Sequence, residues 1–422
     1  MARGARQHIE RLSIYEESPL GTANLATIQH LGGISEIAHS EAQDQFEDTS
    51  QRDDRNAKRA PWKGEYKNTL GYKAPHSKQL VTQLGSVFKS ALGTEQAQAA
   101  LVVTLGGVTL TSFPYTGGEP DQWVIVQHFG GRLSYRPVVR KTGGVAFFGF
   151  QLPTIAGGIV AIVNAKDFGA LSGRCYFETP GADMVALGAQ LDRHSEPDQV
   201  KVTHSAQVPT SLLWEMAPGS RKMVTVGMEG RGWIKNAAPN ILASTKPVKH
   251  SPSWQTDIYL LTDFDAPAAA PAVTKALSYK VQFAPKWLNL ESTQARGGAT
   301  EASLPQYSLT EWRRDDPMQE DIEIVIAFAD NAHNVNFDNE VDYHIAIIDY
   351  LGNPGSSNFV GDAICTYIPK ARLKAAPEIT GNNGVDGMRL LFHGADERAA
   401  GDVVGQMSSA LLTKLAFAQF IA

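Results

Sequence analysis

The sequence predicts a mainly β fold, a β-sandwich or barrel core with one packed helix, plus an inserted or additional small β-domain. Three observations carry that expectation. Short runs rich in β-branched and aromatic residues follow one another between Trp123 and Asn164, punctuated by glycine. Val341, Tyr343, Ile345 and Ile347 alternate with Asp342, His344 and Ala346, as in a half-buried strand. A single stretch, Ser77 to Leu92, has helical periodicity. At 422 residues the chain exceeds one ordinary domain, so two or three units, or a core with a large insertion, are expected.

In chain order, residues 1–40 are mixed, with turn signals at Pro19, Gly21, Gly32 and Gly33. Residues 41–67 crowd together acidic and basic side chains and lack apolar periodicity until Trp62. Such a segment cannot nucleate a core and reads as a solvated arm or one ordered by a partner. Residues 66–75 are strand-like. In the helix that follows, Leu80, Leu84, Val87, Phe88 and Leu92 form the stripe, Ser77 is the expected N-cap and Gly93 the stop. Leu101–Thr104 and Val108–Phe113 flank Gly106 and Gly107 as a hairpin. Trp123–His128, Leu133–Val139, Gly144–Gln151 and Ile159–Asn164 then form a small antiparallel barrel or sandwich. Further strands are expected at Val200–Thr203, Met223–Gly230, Asp257–Leu261, Leu277–Phe283, Tyr307–Trp312, Ile322–Phe328, Val341–Ile348, Met388–Phe392 and Lys414–Ile421. Pro, Ala and Ser enrichment marks loops at 237–253 and 265–273.

Composition narrows the function. Apolar residues are 43% and charged residues 19%, enough for a core. The net charge of -6 argues against a basic nucleic-acid binder. Cys175 and Cys365 are far apart and lack any CxxC or Cys/His spacing, so reduced thiols are expected and neither a disulfide framework nor a zinc site is. No apolar h-region follows the N-terminus, so no secretory signal is expected. The most apolar stretch, Val145 to Ala165, is broken by Gln151, Pro153, Gly157 and Gly158. It reads as two buried strands joined by a turn, and no membrane insertion is predicted.

Motifs of catalysis are missing from the sequence. It has no GxSxG, P-loop, HExxH or Rossmann fingerprint. No catalytic, cofactor-binding or metal-binding residues are therefore assigned, and no cofactor is expected. Between Asp330 and Glu340 oxygen-bearing side chains alternate as in calcium loops, but the glycine turn and closing glutamate are missing. A polar loop between two strands is the expected form. Arg52, Asp53, Asp54 and Arg55, with Lys58, Arg59 and Trp62 nearby, and Arg313, Arg314, Asp315 and Asp316 are balanced charge clusters. Each serves either solubility or the register of a repeated subunit boundary. The seven tryptophans read as core or interface anchors, with a sugar-binding platform as the competing use.

Several segments carry a resemblance. Tyr15-Glu16-Glu17-Ser18-Pro19-Leu20-Gly21-Thr22 is an acidic, glycine-marked start. Arg55 to Pro61 is a charged segment, Lys63 to Gly71 a Gly- and Thr-bearing strand, and Ala91-Leu92-Gly93 closes the helix. Thr310 to Asp316 and the final strand share the same texture. In this order and texture the chain resembles the tail tube proteins of long-tailed bacteriophages, most closely over its first 155 residues. The resemblance implies a structural virion protein of the viral tail and not an enzyme, made in the host cytoplasm. Its partners would be copies of itself in stacked, hexameric rings, other tail proteins such as sheath, baseplate or terminator, and genomic DNA passing without sequence-specific binding. It implies that residues 1–100 begin the tube core, with a charged arm at 41–67 ordering on a neighbouring ring. Residues 101–170 would be the small inserted β-domain, and 171–422 the remainder of the core or a second β-barrel. The alternatives are another tail or baseplate component, a carbohydrate-binding β-sandwich module, and an all-β hydrolase with a scattered site.

Overall fold

The computed structural model describes residues 9–18, 24–31, 34–47, 61–92, 102–116, 123–164, 172–177, 185–194, 199–236, 256–262, 276–296, 307–327, 331–350, 363–382, 385–394 and 416–421. The fold is mainly β. Strands β1 (Ile9–Glu16), β2 (Gln29–His30), β3 (Glu36–Glu47) and β4 (Pro61–Pro75) precede helix α1 (Lys78–Leu92). Next come β5 (Val102–Val103), β6 (Ser112–Thr116), β7 (Trp123–His128), β8 (Leu133–Thr142), β9 (Val145–Phe148) and β10 (Ile159–Asn164). Strands β11 (Ser172–Phe177), β12 (Leu187–His194), β13 (Gln199–Met216), β14 (Met223–Gly230), β15 (Gly232–Asn236), β16 (Thr256–Leu261), β17 (Ala276–Arg296) and β18 (Tyr307–Ala327) lead to helix α2 (Ala332–Asp338). The chain continues with β19 (Tyr343–Tyr350), β20 (Ala363–Leu373), β21 (Glu378–Asn382), β22 (Val385–Gly394) and β23 (Ala416–Ile421).

One 17-stranded antiparallel sheet, curled into a half-barrel, draws strands from both ends of the chain. Its spine is β13. The first half of β13 pairs with β12 and β15, and the second half with β14 and β17. The changeover falls beside Ala206, at φ 52, a left-handed conformation rare for a residue with a Cβ. One wing runs from β14 to β4 and β3. The other runs from β17 through β18 and β22 to β20, and on to β19, β16, β23 and β11.

Helix α1 packs its apolar face into the core of the large sheet. Leu80, Leu84, Val87, Phe88 and Leu92, the stripe expected from the sequence, are all buried, and Ala91 joins them. Ser77 Oγ accepts from the Leu80 amide at 3.4 Å, satisfying an otherwise orphan donor of the first turn. Phe88 stacks on Trp214 with ring centroids 5.6 Å apart, and Trp214 meets Phe283 edge-on. This core is continuous from Leu12 to Phe392, so residues before and after the small β-domain share one interior.

The six-stranded sheet, β5 to β10, lies on the outer face of β16, β19 and β20. Phe113, Trp123, Val126, Tyr135, Phe148 and Phe150 pack there against Tyr259, Leu261, Ala346, Ile348, Cys365 and Tyr367. Strand β19 is thus buried on both faces, not one. Its polar alternation survives because His344 Nδ1 bonds Tyr367 Oη at 2.5 Å and the two rings stack. The hairpin at 101–113 also differs from expectation: β5 pairs with the far end of β6, Val102 opposite Thr116. Gly106 and Gly107 form a turn as expected, the Val108 amide donating to the Leu105 carbonyl, and the Thr109 hydroxyl makes a second one by accepting from the Thr111 and Ser112 amides. Strands β9 and β10 are not joined edge to edge, since β9 pairs with β6 and β8 and β10 with β7. Exposed Val160 shows that β10 is only partly buried.

Cys175 and Cys365 both lie opposite Ala418, on the two sides of β23. Two strand spacings put their Cα atoms roughly 10 Å apart, beyond disulfide reach.

Candidate functional site

The charged segments singled out in the sequence belong to two hairpins. Strands β3 and β4 form the stem of the first, so 41–47 and 61–67 are paired strands and not loop. Arg52, Asp53, Asp54, Arg55, Lys58 and Arg59 lie outside the described residues; the Trp62 backbone sits opposite Phe46 in the stem. The second hairpin is β17–β18, which fuses two expected strands into one of 21 residues. Arg313, Arg314 and Asp315 stand opposite Leu288, Trp287 and Lys286, with Asp316 next in the same strand.

Each hairpin outruns the sheet. Strand β17 is flanked by β13 only over Tyr279–Phe283, and β18 by β22 only over Asp321–Ala327. Beyond these points the two strands pair only with each other among the described residues, an extension of roughly 40 Å at 3.3 Å per residue. Strand β4 likewise loses β14 beyond Asn68 and continues to Pro61 paired with β3 alone. A two-stranded ribbon exposes a row of unpaired amides and carbonyls on each side and is marginally stable alone.

The second arm is braced at its root. Trp312 is buried, and its indole Nε1 donates to the Ala206 carbonyl at 2.9 Å. The Trp287 indole donates to the Pro209 carbonyl at 2.5 Å. Both rings pack on Ala206 and Val208. The Arg231 guanidinium lies 5.1 Å from the Trp312 ring centre, within cation–π reach, and pairs with Glu229. Glu17, buried, accepts the Ala206 amide on both carboxylate oxygens at 3.1 Å, which holds the left-handed bend in place. Glu16 bonds Ser86 and Lys89 of α1. The acidic pair near the N-terminus therefore ties β1 to the helix and to the bend.

Other polar groups cluster inside. Lys222 and Asp349, both almost fully buried, pair at 3.0 Å. Asp349 also accepts from Thr256 and Tyr279 hydroxyls. Burial works to raise the Asp349 carboxyl, but Lys222, His76 and these bonds outweigh it and hold it below the ordinary value. Burial lowers the Lys222 ammonium against the opposing pull of Asp349. Burial pushes His76, whose ring nitrogens have no hydrogen-bond partner among the described residues, down to about 4. Such perturbed groups are candidates for catalysis when they line a cleft. Here they are sealed, and their geometry is that of a structural pin joining β14, β16, β17 and β19. A groove of about 550 Å³ lies nearby, lined by charged residues including Glu215, Arg221, Lys280 and Glu323.

The 330–340 segment is a helix over Ala332–Asp338 rather than a polar loop. Helical winding spreads its oxygen-bearing side chains around the axis, and Asn336 and His333 turn to the Tyr343 hydroxyl. Buried Trp123, Trp214 and Trp312 cannot form an exposed sugar platform. Among the described residues, three groups meet with metal-ligating spacing: His39, Glu41 and His204. Sequence reading missed them because His204 is 163 residues from Glu41.

Compared with known proteins, the chain matches no family model and no curated sequence.

Proposed function

We propose that this chain is a structural virion protein, a tail tube subunit that closes into rings, six-fold in symmetry, which stack into a hollow conduit for genome ejection. The carrying observation is the pair of two-stranded arms that extend past the rest of the sheet, their outer edges without a partner strand among the described residues. Free edges invite strand addition, and a copy of the same molecule supplies the matching edge. Head-to-tail contacts that close produce a ring. Opposite charges on the second arm suit register-setting across such a boundary. On this reading the chain is not an enzyme, and its partners are itself, neighbouring tail proteins and passing DNA.

The net charge of -6 supports a lumen that repels phosphate, since repetition around a ring amplifies the field. Reversing acidic lumen charges should slow DNA ejection; unchanged ejection would remove this part of the reading. Electron microscopy of the purified chain at rising concentration tests the whole. Rings or hollow tubes are expected. Particles that stay single at every concentration, together with absence from the tails of virions, would overturn it.

A further inference from the structure

We propose that His39, Glu41 and His204 form a binding site for a divalent transition-metal ion, with zinc the best match to the donor set. His39 and Glu41 stand two residues apart on one face of β3, so a strand's two-residue period aims both side chains the same way. His204 reaches them from β13, two residues before the Ala206 bend. The three ligand atoms lie within 4.8 Å of one another. His39 Nδ1 is 2.6 Å and His204 Nε2 3.2 Å from Glu41 Oε1. Around a tetrahedral zinc with bonds of about 2.0–2.1 Å, ligand atoms stand roughly 3.4 Å apart, so the His39–Glu41 edge would open by less than an ångström and the His204–Glu41 edge is already close to that spacing.

Two imidazoles and one carboxylate make a three-ligand set that leaves a fourth position for water. The side chains are nearly out of solvent, with relative exposures of 9%, 10% and 1% for His39, Glu41 and His204. An ion there would face little competition from bulk water. His204 Nδ1 is buried with no hydrogen-bond partner among the described residues. In the ion-free cluster the Nε2 proton is the one donated to the Glu41 carboxylate; moving it to the open Nδ1 frees the Nε2 lone pair for an ion. Without an ion the same groups form a hydrogen-bonded cluster, which is the competing account. A bound ion would clip the stem of the first arm to the spine of the sheet, and the site stands on its geometry whether or not the chain assembles.

The test is made on the full, unassembled chain stripped with a chelator. Isothermal titration with zinc chloride should show saturable uptake of one ion per chain. Cobalt(II) in its place should give the visible bands of a four- or five-coordinate site. Glu41→Gln keeps shape and hydrogen bonding but removes the charge, and should weaken zinc affinity at least tenfold while circular dichroism stays unchanged. His39→Asn gives a second, independent disruption with the same expected loss. No saturable uptake by the wild-type chain, or equal affinity in wild type and both variants, would overturn the proposal.

Discussion

Lys222 and Asp349 offer the sharpest check on the interior. Replacing Lys222 by Met keeps the volume and deletes the charge. It leaves the Asp349 carboxylate buried, 3.0 Å from where the ammonium stood, with the Thr256 and Tyr279 hydroxyls as its remaining donors among the described residues. Breaking one side of a buried pair costs about 3–5 kcal/mol, because the remaining charge is uncompensated. Asp349→Asn should cost a comparable amount by stranding Lys222. The double variant removes both charges and need not bear either penalty, so it should lie well above the sum of the singles. A coupling of about 2–3 kcal/mol in the double-mutant cycle is expected. Reversible urea unfolding of all four proteins at neutral pH supplies the numbers. Singles that each cost under about 1 kcal/mol, with additive behaviour in the double, would refute the reasoning, since they would mean that water reaches the pair.

Three further outcomes follow from particular contacts. His76 titrates near 6.5 when unfolded and is pushed down to about 4 when folded, so between those values the unfolded chain binds the extra proton. Stability should therefore fall as pH drops from 6.5 towards 4, by up to about 3 kcal/mol, and His76→Gln should flatten that slope in pH-dependent unfolding. At Gly230 an added Cβ would lie 2.8 Å from the Ser205 carbonyl and against the Gln207 amide, itself bonded to Asn68. Gly230→Ala should cost about 1–3 kcal/mol by overpacking, read by thermal or urea unfolding. Replacing residues 291–309 with a short turn removes the distal part of the second arm but keeps Trp287, Trp312 and the Tyr279–Phe283 and Asp321–Ala327 pairings. That variant should fold, as judged by circular dichroism, and should form no rings in sedimentation.

Where local pattern and burial coincide, the fold was legible. The α1 stripe, the Ser77 cap and strands such as Trp123–His128 and Met223–Gly230 read directly from spacing. Strand β3 did not, because its inward positions carry His39 and Glu41 in place of apolar residues, and period-two hydrophobicity vanishes there. Strand β19 looked half-buried because its second face is covered by a sheet inserted some 200 residues earlier, which no local window contains. The same distance hid the polar sites. Glu17 meets Ala206 across 189 residues, and Lys222 meets Asp349 only after the sheet has curled. The charge cluster at Arg313–Asp316 was legible as a candidate boundary feature, yet the sequence did not show that it sits on a continuous two-stranded ribbon braced by Trp287 and Trp312.

In a two-stranded ribbon alternate amides point inward to the partner strand and the others point outward with nothing to bond. Amide hydrogen exchange across 284–296 and 307–319 therefore reads the arm edges directly. Comparing dilute, unassembled chain with concentrated assemblies, the outward-pointing amides should slow by at least about tenfold as a neighbouring copy completes their hydrogen bonds. Equal exchange in the two states would contradict the claim that these edges are finished by another copy of the same chain.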